Sequence, residues 1–210
     1  MSKLVFDHRI IWVLSMTLGL GVAGQAAAGP IALFTAGGGT DRTGGGFTLG
    51  SQFTVGSKNA IVSSLGVYDS TGTGLAFATP VDIWNSSGNP VASATVAQGT
   101  TDTNHFSYAS ISPITLLAGQ SYTIGAFYSA SNTAHLLDHD GTPGTSADFN
   151  TYIARFSNTT GSLTEPTGGT SGAAYIGPNM LYTVPEPATL LLLSGGLALV
   201  AGRRGLRARR

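Results

Sequence analysis

The chain has 210 residues, ten of them Lys or Arg and ten Asp or Glu, and a formal net charge of zero. Five of the basic residues crowd into the last eight positions, so residues 29–183 keep only Arg42, Lys58 and Arg155 against seven aspartates and Glu165. A middle with so few cations excludes nucleic acid as a partner, and the absence of cysteine excludes disulfides and thiol chemistry. Thirty glycines among abundant Ser and Thr predict short strands and many turns rather than helices.

Residues 1–28 read as a secretory signal peptide, which implies the Sec translocon and signal peptidase as partners. Lys3 and Arg9 give a positive start, diluted by Asp7, and an apolar stretch runs from Ile10 to about Ala23. Ala26 and Ala28 supply the small residues of a cleavage site before Gly29. A retained N-terminal membrane helix is the alternative.

Residues 29–183 form the folded domain, long enough for a real core. Ile31 to Phe34 is a first short strand. A glycine-rich loop follows with Asp41 and Arg42; it lacks the Gly-Lys-Ser/Thr of a phosphate cradle. From Phe47 to Val55 apolar residues alternate, which predicts a half-buried strand. Ala60–Asp69, Val81–Trp84 and Val91–Val96 are further strand candidates, the last two joined by an Asn/Ser/Gly/Pro turn. A strand from Phe106 to Ile111 is expected to break at Ser112-Pro113 and resume at Ile114. Tyr122, Ile124, Ala126 and Tyr128 share one face of the next strand. Residues 150–156 and 180–182 look like closing strands, and 157–172 read as loop. Turn signals about every ten residues have the rhythm of a β-sandwich. The predicted fold class is all-β, a jelly-roll-like β-sandwich flanked by the signal peptide and a C-terminal transmembrane helix.

Three readings of chemistry arise within the domain. His135-Leu136-Leu137-Asp138-His139-Asp140 is a polar hairpin tip or, through Asp138 and Asp140, a Ca²⁺ site; otherwise no cofactor is expected. An unfolding midpoint unchanged by millimolar Ca²⁺ would remove the metal reading. Trp84 is the candidate for stacking on a sugar ring, with core packing as the alternative. No catalytic residue is assigned: there is no Gly-x-Ser-x-Gly elbow, and no pair of carboxylates is singled out. An enzyme is therefore not expected.

Residues 184–210 have three parts: Val184-Pro185-Glu186-Pro187, an uncharged apolar run 188–202, and a tail with Arg203, Arg204, Arg207, Arg209 and Arg210. Each proline fixes its own φ and holds the residue before it extended, so Val184 and Glu186 are strand-like, as a protease cleft requires. Fifteen helical residues span roughly 22 Å, short of a hydrocarbon core of about 30 Å, and Ser194-Gly195-Gly196 weakens the helix further. The arginines keep the end cytoplasmic. The run is a marginal span suited to removal, with an ordinary uncut anchor as the alternative.

In the order of its tripeptide, glycine-containing span and arginines, this segment resembles the PEP-CTERM sorting signal of Gram-negative bacteria. The resemblance implies recognition by exosortase, a membrane-embedded cysteine transpeptidase-like enzyme, with processing near Pro-Glu-Pro. It also implies an inner-membrane intermediate, then a place at the cell surface or in the extracellular matrix, where exopolysaccharide is a candidate partner. A looser resemblance links Phe47–Val55, Leu65–Tyr68, Val81–Gly88 and Leu117–Tyr122 to small β-sandwiches of bacterial surface proteins. The expected role is structural or adhesive, with a carbohydrate-binding module as the first alternative and a hydrolase as the second.

Overall fold

The computed structural model describes residues 29–35, 40–42, 45–69, 71–100, 102–129, 136–138, 144–145, 148–157, 161–170 and 175–185. In chain order the strands are β1 (Ile31–Ala32), β2 (Phe34–Thr35), β3 (Thr40–Arg42), β4 (Phe47–Val55) and β5 (Ala60–Tyr68). Then come β6 (Thr79–Asn85), β7 (Pro90–Val96), β8 (Asp102–Thr103), β9 (Phe106–Leu116) and β10 (Ser121–Tyr128). The last are β11 (Leu136–Asp138), β12 (Gly144–Thr145), β13 (Phe149–Ser157), β14 (Gly168–Thr170) and β15 (Pro178–Thr183). Two antiparallel sheets dominate: β1-β15-β5-β9-β8 and β14-β13-β4-β10-β6-β7, and no helix occurs among the described residues. The expected signal peptide, residues 1–28, and the expected span 188–202 lie outside those residues.

The alternation read from the sequence sets which side chains are enclosed. β4 and β10 pair in register from Thr54 opposite Ser121 to Phe47 opposite Tyr128. Phe53, Ile124, Ile83 and Val81 from one sheet meet Val62, Leu65, Val67 and Tyr182 from the other in one buried core. Aromatic edges bridge the layers: Phe149 meets Phe53 at 5.2 Å and Tyr182 at 4.8 Å, both nearly perpendicular. Such pairs contribute about 1 kcal/mol each beyond their buried area.

Three expectations need correction. β9 runs unbroken through Pro113; the register with β5 shifts between the Val62 and Ser64 pairs, and Pro113 falls in that irregular stretch. Beyond Ser107, β5 is the only described strand that pairs with β9, so a missing N–H on its other edge costs no ladder bond. The segment 157–172, read as loop, contains β14, which pairs with β13 through Ala154, Arg155 and Phe156. The glycine-rich loop contains β3, which pairs with β11.

The turn after β5 is built on Asp69, which is only 1% exposed. Its Oδ1 accepts from the Thr71 amide at 3.0 Å and the Thr71 hydroxyl at 2.7 Å, and its Oδ2 from the Gly74 amide at 2.6 Å. Burial alone would raise its pKa; the hydrogen bonds from Thr71, Gly74 and Gly72 outweigh it and hold the carboxyl below its ordinary range. The folded pKa is depressed, so the contribution to stability is complete above the unfolded carboxylate value and is lost as pH falls through the folded one. Asp69→Asn should lose about 2 kcal/mol at neutral pH, because an amide nitrogen then faces an N–H donor. The variant's urea midpoint should also fall less steeply than the wild type's below about pH 4. Parallel pH profiles would contradict this account.

Opposite it, the β8–β9 turn places Asn104 and His105 at φ of 53° and 65°. Two successive left-handed residues are the signature of a two-residue hairpin turn, and Asn and His tolerate that region better than most side chains.

Candidate functional site

The last strand delivers the chain to the sorting element. Thr183 lies opposite Ile61, and Ile61 lies opposite Thr115, so β15, β5 and β9 share a common terminal row. One residue earlier Tyr182 is fully buried, and its hydroxyl donates to Asp148 Oδ2 at 3.1 Å. Asn179, also fully buried, accepts from the Phe34 and Met180 amides at 3.0 and 2.9 Å and donates to the Phe34 carbonyl at 2.9 Å. The Asn179 bonds tie the start of the strand, and Tyr182 its end, to other parts of the fold. Val184 then packs half-buried against the core, and Pro185 is exposed. The Pro-Glu-Pro element thus begins at the edge of the folded core, with no linker before Val184-Pro185. Glu186, Pro187, Arg203 and Arg204 lie outside the described residues, as do Ala26 and Ala28.

Trp84 sits on the side of β6 facing away from the core, while its neighbours Val81 and Ile83 point inward. It is nevertheless only 4% exposed. Pro166 from segment 161–167 lies over Gly125 beside the indole: a Cβ built on Gly125 would come within 3.1 Å of both Pro166 Cγ and Trp84 Cζ3. The segment is held at Thr164, whose amide donates to Thr48 Oγ1 at 3.4 Å, and at Thr167, whose carbonyl accepts from Arg155 Nη1 at 3.2 Å. Arg155 Nη2 also donates to Gln52 Oε1. Trp84 therefore belongs to a second, smaller packing layer outside the six-stranded sheet, and its ring presents no open face for a sugar.

Asp138 is the last residue of β11 and lies opposite Thr40, while Asp41 lies opposite Leu137. This pairing brings Asp41 onto the strand beside Asp138, a neighbour that no spacing in the sequence revealed. Asp140 lies outside the described residues. Among those described, no group of three or more His, Asp or Glu side chains converges as a metal site requires.

Two other ionisable groups respond to their surroundings. Burial raises the pKa of Asp82, against a hydrogen bond from Ser93. Its cross-strand neighbours are Gly125 and Ser93, so the register forms no acid–base pair there. Burial, then the nearby Tyr182 and Asp148, raises the Tyr152 phenol well above its ordinary value. A groove of about 430 Å³ runs between β7 and β9, lined by residues such as Ala92, Ala94, Ser110, Ile111 and Ile114. Its lining carries no ionisable group, so it offers neither a general acid nor a general base.

A packed all-β domain whose last strand runs straight into a Pro-Glu-Pro element defines a class: a folded cargo with a terminal address. Residues 183–210 match the PEP-CTERM protein-sorting motif, and the chain carries that motif at its C-terminus. The motif implies an exosortase-targeted, exported protein that passes the membrane and ends at the cell surface. No curated protein matches the chain.

Proposed function

We propose that this protein is a non-enzymatic structural or adhesive component of the cell surface or of an exopolysaccharide matrix, released from its membrane intermediate by exosortase. The observation that carries the reading is the sorting motif fused without a linker to a closed acidic sandwich. Such a domain offers the matrix a stable body and a polar, Ser- and Thr-rich surface. Carbohydrate recognition through Trp84 has less support, since Pro166 and the 161–167 segment occupy the space beside the indole.

The intact mass of the protein recovered from its host envelope and medium tests the processing step. The expected species lacks residues 1–28 and ends near Pro185–Pro187. A species that retains Arg203 to Arg210 would leave the chain an ordinary tethered sandwich. For the role itself, a strain lacking the gene should lose matrix cohesion, and the loss should be restored by the wild-type chain. Unaltered cohesion would remove the structural reading.

A further inference from the structure

We propose that one end of the sandwich is a membrane seat: before the tail is cut, the end bearing Ile31, Leu117 and Lys58 rests on the bilayer surface, with the two apolar side chains in the headgroup region. This rests on the reading that the run 188–202 inserts into the membrane.

The strand directions carry the argument. β1 is antiparallel to β15, with Ile31 opposite Tyr182, so Gly29-Pro30 and Val184-Pro185 leave the fold from the same end. The turns 56–59 and 117–120 lie there too, since Ala118 N donates to Asn59 Oδ1 at 2.9 Å and Gly119 N to the Val55 carbonyl at 2.9 Å. Both apolar segments of the sequence, Ile10–Ala23 and 188–202, are therefore joined to this end of the domain. Five residue steps separate Thr183 from Ala188, which at most allows about 17 Å of extended chain. Val184 is already packed against the core, so the usable tether is shorter still.

A domain held that closely must place its end at the interface, and the surface there fits. Ile31 is 42% exposed and Leu117 53% exposed, both at this end. Phe77, 40% exposed, precedes β6 and lies at the other end, where it has no such neighbour of the membrane to explain it. Lys58 stands exposed in the 56–59 turn, where its ammonium can reach lipid phosphate while its stem lies on the apolar layer. Asp148 and Glu165 are at the same end: Asp148 accepts the Tyr182 hydroxyl, and the Glu165 carboxylate lies beside Gly88. The seat therefore works by shallow apolar insertion under a short tether and does not require anionic lipid.

The chain has no cysteine, so single cysteines replacing Ile31, Leu117, Phe77 or Ser194 can each carry one fluorophore without background. The full chain is reconstituted into phosphatidylcholine vesicles and probed with aqueous iodide and with headgroup-nitroxide lipid. Labels at 31 and 117 should be quenched severalfold more by the nitroxide lipid, and less by iodide, than the label at 77; the label at 194 should be hidden from iodide. If 31 and 117 behave like 77 while 194 is hidden, the seat is refuted and insertion stands. If 194 is as open to iodide as 77, insertion and seat both fall. Labels at 31 and 117 shielded from iodide yet untouched by the nitroxide lipid would mean that protein covers them, which also refutes the seat.

Discussion

Gly50→Ala should prevent folding or lower the stability of the domain by about 3 kcal/mol, at the upper end of what overpacking does. Gly50 lies in β4, between β10 and β13, opposite Gly125 on one side and Arg155 on the other. A Cβ there would sit 1.9 Å from the Ile124 carbonyl oxygen and 2.8 Å from the Gly125 Cα. Both are backbone atoms in a ladder of eight consecutive pairs, so neither can swing aside as a side-chain tip would. Relief demands that two central strands part, which breaks ladder bonds and loosens the core beneath them. For a domain of this size the loss corresponds to a melting point lower by roughly 6–12 °C. Gly29→Ala is the control, since nothing lies within 4 Å of a Cβ at that position. A Gly50→Ala protein that melts with the wild type would show that the two strands are not packed as described.

Tyr128 and Gly177 should behave as a coupled pair. Tyr128 is 1% exposed, and its buried hydroxyl has no hydrogen-bond partner among the described residues to offset the water it gave up. Burial also raises its pKa, which favours the neutral phenol. Tyr128→Phe should therefore stabilise the domain by about 1 kcal/mol. Gly177→Ala should destabilise it by about 2–3 kcal/mol, because the new Cβ would meet the Tyr128 oxygen at 2.1 Å. With that oxygen gone the nearest ring atom is Cζ at 3.1 Å, a contact that a small shift can relieve. In the Tyr128→Phe background the alanine should thus lose most of its effect, giving a coupling energy of about 1–2 kcal/mol. Strictly additive effects in urea denaturation would mean that the hydroxyl is not the obstacle.

The sequence pattern carries most of the sandwich and nearly all of the sorting element, for different reasons. β4 and β10 were legible because their core-facing positions are apolar, and period-two alternation records that directly; that their other face is largely covered too was not written in the alternation. The Pro-Glu-Pro element was legible because its chemistry is local: two prolines, an uncharged run and arginines act through their order. What depends on distant partners was not legible. β14 and β3 are three residues each and exist only because β13 and β11 pair with them. Trp84 follows two inward residues and so falls outside the core by parity, but nothing near it says that Pro166, eighty-two positions later, will lie over that side of the sheet. Asp69 read as the last residue of a strand candidate; its worth lies in amides that converge only once the turn has formed. Pro113 misled because a proline that breaks a central strand is harmless on a bare edge.

β15 also sets the timing of assembly. It lies in the interior of its sheet, with β1 on one side and β5 on the other, and it plants Met180 and Tyr182 in the core. β1 has no described ladder partner except β15, so the first strand of the domain waits for the last. The domain therefore cannot close until β15 is in place, and β15 is the strand that runs into the sorting motif. Maturation of the fold and presentation of the cut site become a single late event.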